Sequence, residues 1–171
     1  IMSTQLQKAR QGIITPEMQD VANMENVNAE WLRNEIADGR IVIPKNINHK
    51  FIAQGIGNGL STKINANIGT SSKHCNLNEE LEKMKIAVEY GANAIMDLST
   101  GGDLNEILTK IINESSVMVG TVPIYTVITN LLSANREISQ LDPEELFAEI
   151  ENQAQMGVDF MTLHCGVTKS S

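Results

Sequence analysis

Lys63-Ile-Asn-Ala-Asn-Ile-Gly69 sets two asparagines into a short apolar run that a glycine closes, so a strand here delivers amide side chains to its own carboxyl end. Three later runs finish the same way: Ile95-Met-Asp-Leu-Ser-Thr-Gly101, Val119-Gly-Thr-Val-Pro-Ile-Tyr125 and Phe160-Met-Thr-Leu-His-Cys-Gly166. Four strands that each discharge polar groups at one end are what a βα-barrel active site needs, because its working residues come from strand carboxyl ends. A strand that only fills a core has no reason to end so.

Between these runs the pattern is helical. Leu81, Met84, Ala87 and Val88 recur at helix spacing before Gly91, and Asp103 caps a helix carrying Ile107, Leu108, Ile111 and Ile112. A helix through Val127, Leu131 and Leu132 follows the third run. Asp142-Pro143-Glu144 starts another, with Leu146, Phe147 and Ile150 on one face and Gly157 at its end. Two joints echo each other, Tyr90-Gly-Ala-Asn-Ala-Ile-Met96 and Met156-Gly-Val-Asp-Phe-Met161. Each passes from a helix-ending glycine through Asn or Asp into an apolar strand, which is how a βα unit repeats in a parallel sheet. The fold expected over residues 60–171 is therefore α/β: the first half, four parallel strands, of a TIM-type (βα) barrel.

Residues 1–59 read differently, as a small helical and loop segment. Thr15-Pro16-Glu17 is a helix start, Asn28 opens a second helix through Trp31, Leu32 and Ile36 to Gly39, and Ile41-Val-Ile43 is a short strand ended by Pro44. Asn46, Asn48 and His49 fall in a polar loop. Gly55, Gly57 and Gly59 do not make a dinucleotide loop, because strand rather than helix follows them.

Composition narrows the function. A formal net charge of −8 argues against a sequence-independent grip on nucleic acid. No apolar run nears the roughly 20 residues that span a bilayer, and Met2 to Arg10 lacks the apolar core of a secretory signal. Two distant cysteines, Cys75 and Cys165, suggest no disulfide scaffold. A cytoplasmic location is the plain expectation.

Six ordered stretches carry a resemblance: Ala9-Arg-Gln-Gly-Ile-Ile-Thr-Pro-Glu-Met18, Ile43-Pro-Lys-Asn-Ile-Asn-His49, Lys63-Ile-Asn-Ala-Asn-Ile-Gly-Thr-Ser71, Ala94-Ile-Met-Asp-Leu-Ser-Thr-Gly-Gly102, Gly120-Thr-Val-Pro-Ile-Tyr125 and Asp159-Phe-Met-Thr-Leu-His164. With them the chain resembles the amino-terminal part of the phosphomethylpyrimidine synthase family, the pyrimidine-forming lyases of thiamine biosynthesis. The resemblance implies a radical S-adenosylmethionine enzyme with a [4Fe-4S] cluster and a zinc site. Its reaction turns aminoimidazole ribotide into hydroxymethylpyrimidine phosphate, and the working unit is a homodimer. Carried over motif by motif, the substrate contacts are Asn67, Met96, Tyr125 and His164.

Those residue types suit the task. An asparagine amide donates and accepts, Met96 offers a polarizable wall to a flat ring, and Tyr125 and His164 combine ring surface with polar atoms. Positioning is the role expected of all four, ahead of acid–base work by His164. Read without the family, Asn65 and Asn67 could equally satisfy backbone groups at a strand end, and Met96 and Tyr125 could be packing residues. His164 and Cys165, as strand neighbours, face opposite ways and do not share a metal, so Cys165 reads as a buried thiol.

The family's three cluster cysteines and two zinc histidines have no counterpart here, and neither do the phosphate-binding strands of a second half-barrel. The expectation is thus a fragment that contributes substrate contacts and is inactive alone. Two other functions stand beside this one. A barrel enzyme acting on a phosphorylated sugar would want a catalytic Lys or Glu at a strand end, whereas only Lys63, at a strand start, is found. A non-catalytic ligand-binding fragment would need no such group.

Overall fold

Side-chain caps decide where the first helices begin. In the computed structural model, which describes residues 3–166, Thr4 and Gln7 exchange hydrogen bonds across the start of α1 (Gln5–Arg10). The Thr15 hydroxyl accepts from Met18 N at the head of α2 (Pro16–Glu25), and Asn28 accepts from Glu30 N and Trp31 N at the head of α3 (Ala29–Ala37). These helices bury Met18, Val21, Leu32 and Ile36 against Ile41 and Ile43 in one apolar cluster. The segment is more than helix and loop. β1 (Ile41–Val42) pairs antiparallel with β2 (Ile56–Gly57), which takes in one of the three loop glycines, Gly57.

The second unit is a four-stranded parallel sheet in the order β3 (Asn65–Ile68), β4 (Ala94–Asp97), β5 (Met118–Thr121), β6 (Phe160–Met161). Helices α4 (Leu77–Glu89) and α5 (Leu104–Glu114) connect the first three strands; α6 (Pro123–Ser133), a 3-10 turn (Ile138–Gln140) and α7 (Pro143–Met156) lead to the fourth. Ile68, Ile95 and Val119 face α4 and α5, and pack with Leu81, Met84, Ile107, Leu108, Ile111 and Ile112. Alternation then sends Asn67, Met96 and Gly120 to the opposite face. The sheet is open among the described residues: β3 and β6 each have one strand neighbour.

Four sequence expectations need correction. The run Val119–Tyr125 is not all strand. β5 stops at Thr121 and Pro123 opens α6, so Tyr125 lies in the first turn of a helix rather than on a strand end. Proline lacks the N–H that a ladder needs, but at the first helical position that group would go unused anyway. The run Phe160–Gly166 is paired only at Phe160 and Met161, because β5 offers just Gly120 and Thr121 opposite it. His164 and Cys165 therefore lie beyond the paired strand, and Cys165 is exposed, not buried. Likewise α7 buries only Gln153 fully, while Phe147 on its expected apolar face is exposed.

Both glycine joints work as their likeness suggests. Asn93 Oδ1 accepts from Ile64 N at 2.9 Å, ahead of β3, and Asp159 Oδ2 accepts from Val119 N at 2.8 Å, in β5. In each case the residue before a strand holds the neighbouring strand by its backbone. The amino-terminal segment docks at this same end. Asn46 N donates to Asp159 Oδ1 (2.7 Å), Asn46 Nδ2 donates to Val158 O (2.9 Å), and His49 Nδ1 meets Asp159 Oδ2 at 2.6 Å. A second tie joins Lys63, just ahead of β3, to Glu25 at the end of α2 at 2.6 Å, with both side chains largely buried.

Candidate site at the carboxyl ends of the strands

The sheet register brings the first two expected contacts together. Asn67 in β3 is the direct partner of Met96 in β4, and Met96 is the partner of Gly120 in β5. Gly120 in turn pairs with Phe160, whose ring lies over it so closely that a Cβ on Gly120 would sit 2.2 Å from Phe160 Cζ. One row across the face opposite the helices thus reads amide, thioether, bare backbone, aromatic ring. Asn67 is exposed on this face. Its Oδ1 accepts from Asn65 Nδ2 at 2.8 Å, so the two amides pair with each other across two residues of β3 and leave the backbone to the ladder. The plain reading of these asparagines as backbone caps does not hold.

The other two expected contacts also meet. The rings of Tyr125, in the first turn of α6, and His164, three residues past β6, lie 6.4 Å apart at 26°. Tyr125 further borders a groove of about 510 Å³ that Ser72, Thr100, Ile128 and Leu132 help to line. Ser72 follows β3 and Thr100 follows β4, so Tyr125 faces the loops of the first two strands while stacking on the residue beyond the fourth. A larger groove, about 760 Å³, is elsewhere. It runs between the amino-terminal segment and α7, beside Asn46 and Asp159 at the opposite end of the sheet. The carboxyl end is the better candidate because Asn46 and Asp159 are already bonded to each other, and parallel α/β sheets bind ligands outside the carboxyl ends of their strands.

The loops around this end are fastened from below. Glu80 of α4 is buried, with Oε2 accepting from Gly69 N at 2.7 Å and Oε1 meeting Lys83 at 2.6 Å. Gly69 has φ +151, and a Cβ there would lie 2.6 Å from the Leu98 carbonyl carbon, so only glycine lets the chain turn off β3. Asp97, the last residue of β4, accepts at Oδ1 from both Ser99 N (3.0 Å) and Ser99 Oγ (2.5 Å). Burial pushes the Asp97 carboxyl above its ordinary value; the Ser99 hydrogen bonds oppose this, and the charge of Glu80 adds to it.

The sequence points to Asn67, Met96, Tyr125 and His164, but not to Asp97, Ser99, Phe160 or Glu80. A glycine inside a buried strand was the available sign for Phe160, since it often marks close approach of another group. No sequence pattern announced Glu80 as a loop anchor.

A family comparison decides the affiliation, matching the Radical SAM ThiC family over residues 4–171. The chain belongs to that family. It is 54% identical over 167 residues to a phosphomethylpyrimidine synthase of Carboxydothermus hydrogenoformans, covering 97% of this chain and 39% of that protein. A phosphomethylpyrimidine synthase of Desulfitobacterium hafniense is 52% identical over 96% of the chain and 38% of its own length. Phosphomethylpyrimidine synthase 1 of Methanosphaera stadtmanae is 49% identical over 98% and 39%. The chain spans about two fifths of the length of these curated relatives.

The residues described here do not fit an iron–sulfur cluster or a zinc ion. Cys75 and Cys165 are both free and exposed, and Cys75 Sγ lies against the Gly101 carbonyl at 3.4 Å. A cluster of this kind takes several converging thiolates. Among the described residues no three His, Cys, Asp or Glu side chains converge on a metal position. Nor, among them, is any helix long and apolar enough to cross a membrane.

Proposed function

We propose that this chain is the substrate-binding first half of a βα-barrel in a phosphomethylpyrimidine synthase, and that Asn67, Met96, Tyr125 and His164 hold aminoimidazole ribotide at its mouth. The observation that carries the reading is the pairing itself: Asn67 beside Met96 in register, and Tyr125 stacked on His164, at one end of one sheet. The Asn67 amide can fix a ring or ribose group by donating or accepting. Met96 and Phe160 supply apolar surface against which a flat heterocycle lies, and the Tyr125–His164 stack supplies aromatic surface with polar edges. All four act by positioning.

The same proposal puts the [4Fe-4S] cluster, S-adenosylmethionine and zinc of the intact enzyme on residues outside this stretch. When bound they supply the radical chemistry; the residues present here bind, orient and shield. Closure of the sheet into a barrel, a homodimeric cytoplasmic enzyme and a small-molecule substrate belong to this reading too.

Asn67→Ala and His164→Ala in the intact protein test it. Each removes one polar contact, and ribotide affinity measured by calorimetric titration should fall about tenfold per substitution. Affinity equal to the parent in both variants would remove these residues from the site.

A further inference from the structure

Asp97 stands immediately after Met96 and is 8% exposed, and its side chain hydrogen-bonds to Ser99 rather than to any of the four proposed contacts. Its hydrogen bonds lead instead into the loops that carry them. Ser99 Oγ, having given its proton to Asp97, accepts from Thr70 N at 3.1 Å, in the loop after β3. Thr70 Oγ1 donates to Gly101 O at 2.6 Å and Thr100 N donates to Thr70 O at 2.9 Å, so the loops after β3 and β4 are laced together through Ser99. On its other side Asp97 borders a small cavity of about 20 Å³, shared with Thr121, Tyr125, Thr126 and Gln153.

That volume suits one water, which needs two or more polar partners. Thr121 Oγ1 donates to Gln153 Oε1 (2.6 Å), and Gln153 Nε2 donates to Thr126 Oγ1 (3.2 Å). Thr121 therefore retains accepting lone pairs and Thr126 retains its hydroxyl proton. A water accepting from the Thr126 hydroxyl and donating to Asp97 would complete the chain from the carboxyl group to the first turn of α6, next to Tyr125.

We propose that Asp97 is the positioning residue of the candidate site: through Ser99, Thr70 and the turn bearing Thr126, it fixes the loops after β3, β4 and β5 relative to one another. The inference rests on the ribotide reading above. Asn67 sits three residues before Thr70, Met96 one before Asp97, and Tyr125 one before Thr126, so a shift in this lacing moves three contacts together. A role in folding alone would leave ligand affinity unlinked to the chemistry of the Asp97 acceptor.

The experiment compares Asp97→Ala, Asp97→Asn and Thr126→Val in the intact protein by thermal melting and by calorimetric titration with aminoimidazole ribotide. Asp97→Asn keeps an oxygen that accepts from Ser99, so its affinity should stay within about threefold of the parent, whereas Asp97→Ala should lose at least about tenfold. Thr126→Val removes the hydroxyl but leaves every buried carboxylate in place, and Gln153 Nε2 keeps Glu149 Oε1 at 2.6 Å; it should weaken ribotide by about threefold with only a small drop in melting temperature, and it carries the test if Asp97→Ala does not fold. Unchanged affinity in Asp97→Ala, or in Thr126→Val where the alanine variant is not folded, overturns the inference. So does an asparagine variant that loses affinity and melting temperature as far as the alanine one. A parent protein that binds no ribotide overturns the parent reading, whereas a binding parent with indifferent variants overturns only the role of Asp97.

Discussion

Replacing His49 by alanine should open the joint between the amino-terminal segment and the sheet, at a cost of about 3 kcal/mol in mildly acidic solution. The ring is almost wholly buried, and both of its nitrogens face acceptors: Asp159 Oδ2 at 2.6 Å and the Ser115 carbonyl at 3.2 Å. A neutral imidazole has one donor, so only the imidazolium satisfies both contacts. Removing one member of a buried ion pair costs about 3–5 kcal/mol, because the other charge is left uncompensated. Asp159 would keep two backbone donors, Asn46 N on Oδ1 and Val119 N on Oδ2, which puts the expected loss at the lower end.

The pH dependence fixes the sign. Burial disfavours the charged ring, as does the charge of Lys45, but the Asp159 hydrogen bond and charge, with the Ser115 carbonyl, outweigh them and hold the His49 pKa above its ordinary value. A group whose folded pKa is raised contributes its stability in full below its unfolded pKa, near 6.5 for histidine, and loses it as pH rises through the folded value. Native-state hydrogen exchange of residues 40–52, corrected for intrinsic rates, reads the opening free energy of this segment. The gap between parent and His49→Ala should be widest at about pH 5.5 and should close as the solution becomes alkaline. A gap that is constant, or that grows with pH, would mean the ring is neutral and the pairing argument wrong.

Gly120→Val would drive a side chain into the Phe160 ring, 2.2 Å from where its Cβ must lie, and should lower stability by about 1–3 kcal/mol while displacing β6, as thermal melting and exchange at Phe160 would register. Gly69→Ala meets Leu98 backbone at 2.6 Å in a left-handed conformation and should both destabilise the intact protein and weaken ligand binding at the neighbouring Asn67. Lys63→Met breaks the buried pair with Glu25 and should cost about 3 kcal/mol in denaturant titration. Arg136→Met, whose partner Glu145 is as open to solvent as itself, should cost less than about 1 kcal/mol.

Helix starts were the most legible part of this chain. Thr15, Asn28, Asp103 and Asp142 each cap the helix they precede, and Gly157 ends α7 at φ +118, because capping chemistry is complete within a few residues. Strand ends were harder to read. Val122-Pro123 sits in a run apolar enough to pass for strand, and the proline alone signalled the change to helix. Long-range partners left no local mark at all. His49 reads as a loop residue until Asp159, 110 positions later, meets it. Cys165 reads as buried only if a strand continues to it, and β5 has already turned away. The pairing of Asn67 with Met96 needed a register, which composition does not specify.

The two ends of the sheet are built on opposite principles. At the amino ends, polar side chains are spent on the backbone: Asn93 takes Ile64 N, Asp159 takes Val119 N, and Asn46 takes Val158 O. At the carboxyl ends, Glu80, Asp97 and Ser99 hold the loops from beneath, and Asn67 points out of the sheet, its amide bonded to that of Asn65 two residues earlier. The two equivalent joints at the amino ends nevertheless carry different residues. Asn93 has one N–H to satisfy and needs no charge. Asp159 must also face His49, and a carboxylate there compensates the buried imidazolium where an amide could not. Charge was placed at the joint that fastens the amino-terminal segment, and neutrality at the joint that fastens only a strand.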